Sequence, residues 1–114
     1  MRVLVTGGAG FIGSHVVDRL ITHGVQPVIY DQRHSSQHPR VEHFLGSVLD
    51  LESLRVAMNG VHAVIHLAAV ADVQEVFEDP IYAETVNTRG TTCVLEAARR
   101  RRVKRVIYGS TTWV

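Results

Sequence analysis

A glycine cluster placed directly after a short apolar run limits the fold of this chain more than any other feature. The cluster reads GGAGFIG over residues 7–13 and follows Arg2–Thr6, a β-branched run typical of a strand buried on both faces. From Phe11 to His23 apolar residues recur at helical spacing, and Gly24 can end that helix. The residues predicted to face the interior are Ile12, Val16, Leu20 and Ile21. A strand, a tight turn and a helix are therefore predicted in this order.

Further apolar runs alternate with helical patterns along the chain. Four more strands are predicted, at Pro27–Asp31, Val41–Gly46, Val61–Ala69 and Lys104–Tyr108. The third of these ranges includes the turn that follows its strand. Helices are predicted from Leu51 to about Met58, with Asp50 as the cap, and from Pro80 to about Arg102. The polar stretch Gln32–Arg40 is predicted to be a mobile surface loop, and Ala71–Asp79 has no clear pattern.

Strands that alternate with helices of this length pair in parallel, and their crossovers are right-handed. The sequence therefore predicts an α/β fold of three-layer Rossmann type, with a doubly wound parallel sheet in the strand order 3-2-1-4-5. The pattern stops soon after the fifth strand. The length of the chain predicts one domain over residues 1–114.

The composition argues against several classes of partner. The formal net charge is +1, and the one basic cluster, Arg99–Arg102, lies at a predicted helix end, so a nucleic-acid partner is not expected. No apolar stretch reaches the roughly 18 to 20 residues of a membrane span, so insertion into a membrane is not expected either. A single cysteine, Cys93, and the lack of a leader pattern predict a reduced, cytoplasmic protein.

The glycine cluster also has the spacing of a dinucleotide-binding turn. Gly7, Gly10 and Gly13 fit G-x-x-G-x-x-G, and Gly8 in place of Gly7 fits G-x-G-x-x-G. Such a turn needs a positive φ, lets a pyrophosphate reach backbone N–H groups without meeting a Cβ, and brings the helix close to the strand. A glycine turn with only a structural role has the same letters, so a second signal is needed.

Asp31 supplies that second signal. It ends the second predicted strand 18 residues after Gly13, near the roughly 20 expected of a carboxylate that accepts hydrogen bonds from the adenosine ribose. A turn aspartate is the alternative. Taken together, the glycines and Asp31 predict a bound dinucleotide. A carboxylate repels a 2′-phosphate, so NAD is favoured over NADP, although Arg33 and the histidines near it soften that preference.

Four motifs carry a resemblance to a known family. They are TGGAGFIGSH at residues 6–15, HLAA at residues 66–69, NTRGT at residues 87–91 and YGSTT at residues 108–112. In this order they resemble the NAD-dependent epimerase/dehydratase branch of the extended short-chain dehydrogenase/reductase family. That resemblance implies an NAD cofactor and, in a full-length parent, a nucleotide sugar as substrate. It also implies that residues 1–114 are an incomplete NAD-binding domain, truncated after the fifth strand, without the catalytic helix and the substrate-binding lobe.

The resemblance also implies roles for individual residues. Those expected at the pyrophosphate are Gly7, Gly10, Phe11, Ile12 and Gly13. Those expected at the adenosine ribose are Asp31 and Gln32, and those at the central portion of the cofactor are Leu67, Ala68 and Ala69. Asn87 is expected near the nicotinamide side.

Two further positions differ in how well they match the family. Thr111 falls on the family's catalytic serine or threonine, which hydrogen-bonds the hydroxyl being oxidised; a strand-end threonine that caps local backbone is the alternative. After the third strand the family usually has Gly-Asp and an aliphatic residue, whereas this chain has Gly46, Ser47 and Val48. Ser47 and Val48 are therefore expected at the adenine end of the cofactor, with fewer hydrogen-bond acceptors than usual.

The reaction implied by the resemblance needs a pair of residues that this sequence does not contain. A tyrosine takes the hydroxyl proton while a hydride moves from a sugar carbon to NAD, and a lysine four residues later lowers the pKa of that tyrosine. The residues four positions after the three tyrosines are His34, Val86 and Thr112. We therefore expect no turnover from these 114 residues.

Two other functions stay open from the sequence. The chain can be a stand-alone module that binds dinucleotide without chemistry, or a truncated remnant whose exposed sheet edge drives self-association. A homo-oligomer is compatible with each of these functions. A metal site is not expected, because His62 and His66 are four residues apart on a strand and are too distant to share an ion.

Overall fold

Five parallel strands form the centre of the structure, a computed structural model in which residues 1–110 are described. The strands are β1 (Arg2–Thr6), β2 (Gln26–Asp31), β3 (Glu42–Leu45), β4 (Ala63–His66) and β5 (Arg105–Tyr108). They pair in the order β3-β2-β1-β4-β5, and every neighbouring pair is parallel. The predicted α/β class, the doubly wound sheet and its strand order are confirmed.

Five α-helices and one π-helical segment connect or flank the strands in the described part of the chain. They are α1 (Phe11–Thr22), α2 (Leu51–Ala57), α3 (Val73–Glu78), α4 (Pro80–Glu84), the π segment (Thr85–Arg89) and α5 (Gly90–Arg100). Over residues 1–110, none of the helices combines the length and the apolar character needed to cross a membrane.

The helix predicted from Pro80 to about Arg102 is interrupted in the structure. Its first five residues form α4, the next five form the π segment, and α5 follows directly. The stretch before it, which had no clear pattern, contains the short helix α3. Aspartates start both short helices, since the Asp72 carboxylate accepts the Gln74 N–H and the Asp79 carboxylate accepts the Tyr82 N–H.

The strand register sorts apolar side chains onto the two faces of the sheet. Leu4 is paired with Val28 and Val64, and these side chains belong to the larger core under α2 and α5. Their neighbours Val5 and Ile29 form a smaller core with Val17 of α1. Because successive residues of a strand point to opposite faces, one parallel register builds both cores.

The face of α1 that packs on the sheet differs from the predicted one. Gly13, Ser14 and Val17 are buried, Val16 and Leu20 are partly buried, and the predicted interior residues Ile12 and Ile21 are 64% and 48% exposed. The reason is the missing side chain at Gly13, which lets the helix approach the turn closely there. Residues four apart lie on the same helix face, so Val17 follows Gly13 into the core.

The polar loop after β2 is also packed more closely than a mobile surface loop would be. Ser35 and His38 are buried in it. The Ser35 hydroxyl accepts the His38 N–H at 3.0 Å, and the His38 imidazole pairs with the Asp18 carboxylate of α1 at 2.6 Å. Side-chain pairing across 20 residues therefore holds this loop on α1, which composition alone did not indicate.

The position of α1 leads to a matched pair of substitutions. We expect Val17→Ala to lower the free energy of unfolding by about 2 kcal/mol, because it removes two buried methyl groups and leaves a small cavity. Ile12→Ala, on the exposed side of the same helix, should change it by less than about 0.5 kcal/mol. Urea unfolding followed by circular dichroism measures both values, and a larger loss for Ile12→Ala would contradict the observed helix face.

Candidate functional site

A cleft of about 340 Å³ lies at the carboxyl ends of the central strands. Here the chain leaves β1 toward β2 on one side, while β4 pairs with β1 on the other. Ligands of open α/β sheets bind at this kind of reversal in strand order. The predicted site residues that line the cleft are Gly7, Gly10, Asp31, Gln32, Ser47, Val48, Leu67, Ala68 and Ala69.

The glycine turn forms one wall of the cleft. Gly7 has a φ of +71°, in the left-handed region that glycine adopts without strain. A Cβ on Gly13 would overlap the Gly7 carbonyl oxygen, so the fold itself requires glycine at residue 13. A Cβ on Gly10 would meet only the Gly7 carbonyl oxygen, at 3.3 Å. Protein packing therefore restricts residue 10 less than residue 13, and Gly10 lines the cleft.

The first turn of α1 adds hydrogen-bond donors beside Gly10. Gly10 precedes the helix and provides no side-chain cap. Within residues 1–110, no protein acceptor pairs with the N–H groups of Phe11, Ile12 and Gly13. The side chains of Phe11 and Ile12 are exposed, and neither residue lines the cleft. What these positions offer is a group of backbone donors at the positive end of a 12-residue helix, which favours an anion.

Asp31 connects the end of β2 to the glycine turn. One carboxylate oxygen accepts the Ala9 N–H at 3.0 Å, and the other accepts the Arg33 N–H at 3.2 Å. The second contact forms the local turn expected if Asp31 is a turn aspartate, which was the alternative interpretation. Each carboxylate oxygen has two lone pairs, so both oxygens keep capacity for a further donor. The structural role and a ligand-binding role are therefore compatible.

Tyr30 and Gly46 form the floor of the cleft, and sequence reasoning missed both as site residues. Tyr30 is fully buried in β2, and its hydroxyl donates to the Ser47 carbonyl oxygen at 2.7 Å. Burial raises the pKa of Tyr30 above its usual value, so it is not a candidate base. A Cβ on Gly46 would lie 2.6 Å from the Tyr30 hydroxyl. Tyr30 has the sequence pattern of an ordinary core residue, which is why it was overlooked.

Two charged and three uncharged residues from other parts of the chain complete the lining. The further lining residues that were not predicted are Arg33, Val70, Glu75, Tyr82 and Val86. Arg33 brings a positive charge next to Asp31, whereas Glu75 adds a second carboxylate. The sequence pointed to Arg33 only as a modifier of cofactor preference. Glu75 lies on α3, which was not predicted, and Tyr82 lies on α4, whose start at Pro80 was predicted. No local signal connected either residue to the cleft.

Asn87 lies in the π segment, and its side chain binds protein backbone. Its amide oxygen accepts the Val70 N–H at 2.8 Å, and its amide nitrogen donates to the Val70 carbonyl oxygen at 3.1 Å. Val70 lines the cleft, while Asn87 does not. In this structure Asn87 therefore holds a wall residue of the cleft, and a direct contact to the nicotinamide side stays a prediction.

Two other expectations concern catalysis and metals. Thr111, the predicted catalytic residue, lies outside the described residues. Among residues 1–110, no group of three or more His, Cys, Asp or Glu side chains is arranged to hold a metal ion. His62 and His66, which were expected to be too distant to share an ion, make different contacts. The His62 ring accepts the Arg2 N–H, whereas the His66 ring contacts the Thr6 hydroxyl.

The comparisons with known proteins agree with this geometry. Residues 3–114 match the sequence model of the NAD dependent epimerase/dehydratase family. The chain is 38% identical over 128 residues to a UDP-glucose 4-epimerase of Yersinia pestis, covering 100% of this chain and 38% of that protein. It is 34% identical over 121 residues to a 3 beta-hydroxysteroid dehydrogenase/Delta 5-->4-isomerase of Mycobacterium tuberculosis, covering 99% of this chain and 32% of that protein.

A solved structure gives the same result. The UDP-glucose 4-epimerase of Thermus thermophilus in complex with NAD superposes with a TM-score of 0.90 at 38% identity, covering 97% of this chain and 38% of that chain. This chain therefore spans less than two fifths of the length of each of these three proteins.

The two glycines of the turn should respond differently to alanine. Gly13→Ala should lower the free energy of unfolding by about 1 to 3 kcal/mol, because the overlap with the Gly7 carbonyl outweighs the better helix propensity of alanine. Gly10→Ala should lower it less, by about 0.5 to 1 kcal/mol, because its Cβ makes only one tight contact and alanine is a poorer N-cap than glycine. Urea unfolding of both variants checks this. Equal losses at the two positions would contradict the contacts described for this turn.

Proposed function

Because the chain belongs to the NAD dependent epimerase/dehydratase family, we propose that it is the NAD-binding part of a nucleotide-sugar epimerase or dehydratase. The observation that carries the proposal is the glycine turn beside Asp31. Backbone donors without a protein acceptor in the described chain lie at the start of α1, and a carboxylate with free lone pairs lies across from them. A dinucleotide supplies diphosphate oxygens that accept from the backbone donors, and ribose hydroxyls that donate to the carboxylate.

The residues of the cleft fit the parts of that cofactor in order. Under the proposal, the pyrophosphate lies on Gly7, Gly10 and the amides of Phe11, Ile12 and Gly13. The ribose binds Asp31 and Gln32, the adenine end lies against Ser47 and Val48, and the central portion lies along Leu67, Ala68 and Ala69. Asn87 acts at the nicotinamide end by holding the Val70 backbone with its side-chain amide. Bound NAD supplies a hydride acceptor, and these residues supply binding and orientation.

The preference for NAD over NADP rests on charge. A second carboxylate, Glu75, lines the same cleft as Asp31 and adds to the repulsion of a 2′-phosphate. Arg33 acts in the opposite direction, since its guanidinium can pair with a phosphate. Among the described lining residues, two negative groups against one positive group favour NAD.

The substrate and the cellular setting belong to the proposal as well. A nucleotide sugar is proposed for the full-length parent because the Yersinia relative is a UDP-glucose 4-epimerase. The Mycobacterium relative carries a steroid dehydrogenase name, so this part of the chain does not by itself select the substrate. A reduced, cytoplasmic setting is proposed because the single cysteine, Cys93, packs partly buried against the core on α5.

A second candidate function follows from one sequence observation. No tyrosine of these 114 residues is followed four positions later by lysine. Binding of a dinucleotide without turnover, as a stand-alone module, therefore fits the same cleft. The parent enzyme and the module share the binding step, and only turnover separates them.

Calorimetric titration tests the binding step. We expect saturable binding of NAD and weaker binding of NADP. Asp31→Asn keeps the size of the side chain and removes its charge, so it should weaken NAD binding by about 10- to 100-fold, the equivalent of a charged hydrogen bond, and narrow the gap to NADP.

One control variant and one further test variant accompany this titration. Glu84→Gln removes the same charge from an exposed position on α4 and should leave both affinities unchanged. Gly10→Ala should retain the fold and weaken NAD binding, since Gly10 lines the cleft and a pyrophosphate approaches a glycine turn without meeting a Cβ. A flat NAD titration of a folded wild-type sample would refute the proposed function.

Turnover separates the parent enzyme from the isolated chain. Incubated with NAD and UDP-glucose, the 114-residue chain should produce no UDP-galactose above background, because a tyrosine and lysine pair is missing from it. Chromatography of the nucleotide sugars measures this. Turnover that Thr111→Ala abolishes would contradict the prediction and assign catalysis to this chain.

A further inference from the structure

Four residues form a continuous line of hydrogen bonds behind the cleft, three of them through their side chains and Asn87 through its backbone carbonyl. They are Thr6 at the end of β1, His66 at the end of β4, Thr91 at the start of α5 and Asn87 in the π segment. None of the four lines the cleft. Each end of the line, however, holds backbone groups of residues that do line it. We refer to these four residues as the Thr6–Asn87 line.

The directions of these hydrogen bonds follow from counting protons and lone pairs. The Thr91 hydroxyl donates to the Asn87 carbonyl oxygen at 2.7 Å, so its oxygen can only accept from its other neighbour. That neighbour is His66 Nε2 at 3.0 Å, which must therefore carry the ring proton. His66 Nδ1 is then bare and accepts the Thr6 hydroxyl proton across 2.6 Å.

Thr6 is fully occupied as a result. Its hydroxyl oxygen accepts the N–H of Leu67 at 3.0 Å and the N–H of Ala68 at 3.1 Å, while its proton goes to His66. The Leu67 N–H is shared with the Thr6 carbonyl oxygen at 3.2 Å. A hydroxyl oxygen has two lone pairs, and both are used. The arrangement fits only a neutral His66 with its proton on Nε2.

The surroundings of His66 favour the same charge state. The side chain is buried, with 3% of the residue exposed, and burial lowers the pKa of its imidazole below the usual 6.5. An aromatic ring near it is that of Tyr108 on β5, with ring centroids 6.0 Å apart. A protonated imidazole would direct a second N–H at the Thr6 oxygen, which has no lone pair left for it.

The loop after β4 is held from both sides by the Thr6–Asn87 line. On one side Thr6 binds Leu67 and Ala68, and the Ala68 backbone nitrogen lies 3.0 Å from where a Cβ on Gly7 would be. On the other side the Asn87 amide binds both backbone groups of Val70. The line therefore fixes residues 67–70 against the glycine turn.

We propose that His66 is a positioning residue for cofactor binding, acting through Thr6 and Thr91 to hold the loop of residues 67–70 and the glycine turn as one surface. The ligand in this inference rests on the proposed function. The tautomer of His66 and the order of the loop do not, and both can be measured without any ligand.

Two neighbouring threonines on α5 provide a matched test. Thr91 and Thr92 each donate to the carbonyl oxygen four residues earlier, but only Thr91 contacts His66. Thr91→Val leaves the His66 Nε2–H without a partner, whereas Thr92→Val removes an equivalent hydroxyl at an exposed position. Thr91→Ser keeps the hydroxyl and serves as the rescue.

Three readouts apply to each folded variant. Long-range nitrogen–proton NMR correlations give the tautomer of His66, which should be the neutral Nε2–H form in the wild-type chain at pH 7. Amide hydrogen exchange at Leu67, Ala68 and Val70 gives the order of the loop, and calorimetry gives the NAD affinity. We expect Thr91→Val to change the tautomer ratio, speed exchange at these amides and weaken NAD binding about five- to tenfold.

Thr92→Val and Thr91→Ser should behave like the wild type in all three measurements. Thr6→Val should have a larger effect than Thr91→Val, because it removes the hydroxyl that is the acceptor of the Ala68 N–H and one of the two acceptors of the Leu67 N–H. A protonated or Nδ1–H His66 in the wild type, or a Thr91→Val variant that matches Thr92→Val, would overturn the inference. If the wild type binds no NAD, the proposed function fails, while the tautomer and exchange data still decide whether His66 orders the loop.

Discussion

The close approach of Gly13 to the Gly7 carbonyl is the contact on which both the fold and the site depend. It sets the face that α1 presents to the sheet, and it thereby brings Val17 into the smaller core. The same approach holds the first turn of α1 at the carboxyl end of β1, where its N–H groups have no acceptor in the described chain. A side chain at residue 13 would separate helix and strand, and these N–H groups would move away from the end of β1 together with the loss of packing.

Most of the fold could be predicted because its signals are local. Short apolar runs identify the strands, and right-handed crossovers limit the possible strand orders. The glycine turn after β1 then favours the order of the dinucleotide-binding fold. The face of α1 could not be predicted from apolar residues alone, because the deciding residue is the smallest one, Gly13. The packing of the loop after β2 was missed for another reason, since it depends on a pairing between His38 and Asp18 that composition does not express.

The candidate site divides in the same way. Residues that end or directly follow a strand, such as Asp31 and Ala68, were predicted and line the cleft. Tyr30 was missed because a buried strand tyrosine looks like core, and Glu75 because it lies on a helix that the pattern did not indicate. In both cases the missing information is tertiary: the cleft forms where β2 and α3 come together with the glycine turn, and no spacing along the chain encodes that meeting.

The motifs HLAA and NTRGT are connected in space by His66 and Thr91, which hydrogen-bond across 25 residues of sequence. Sequence reasoning assigned parts of both motifs to the cofactor. Hydrogen bonds from both motifs in the structure go to backbone groups, so at least part of their role is to hold a wall of the cleft in place. The polar groups of this wall already have protein partners in the structure. Preorganisation of this kind reduces the entropy cost of ordering that would otherwise oppose binding.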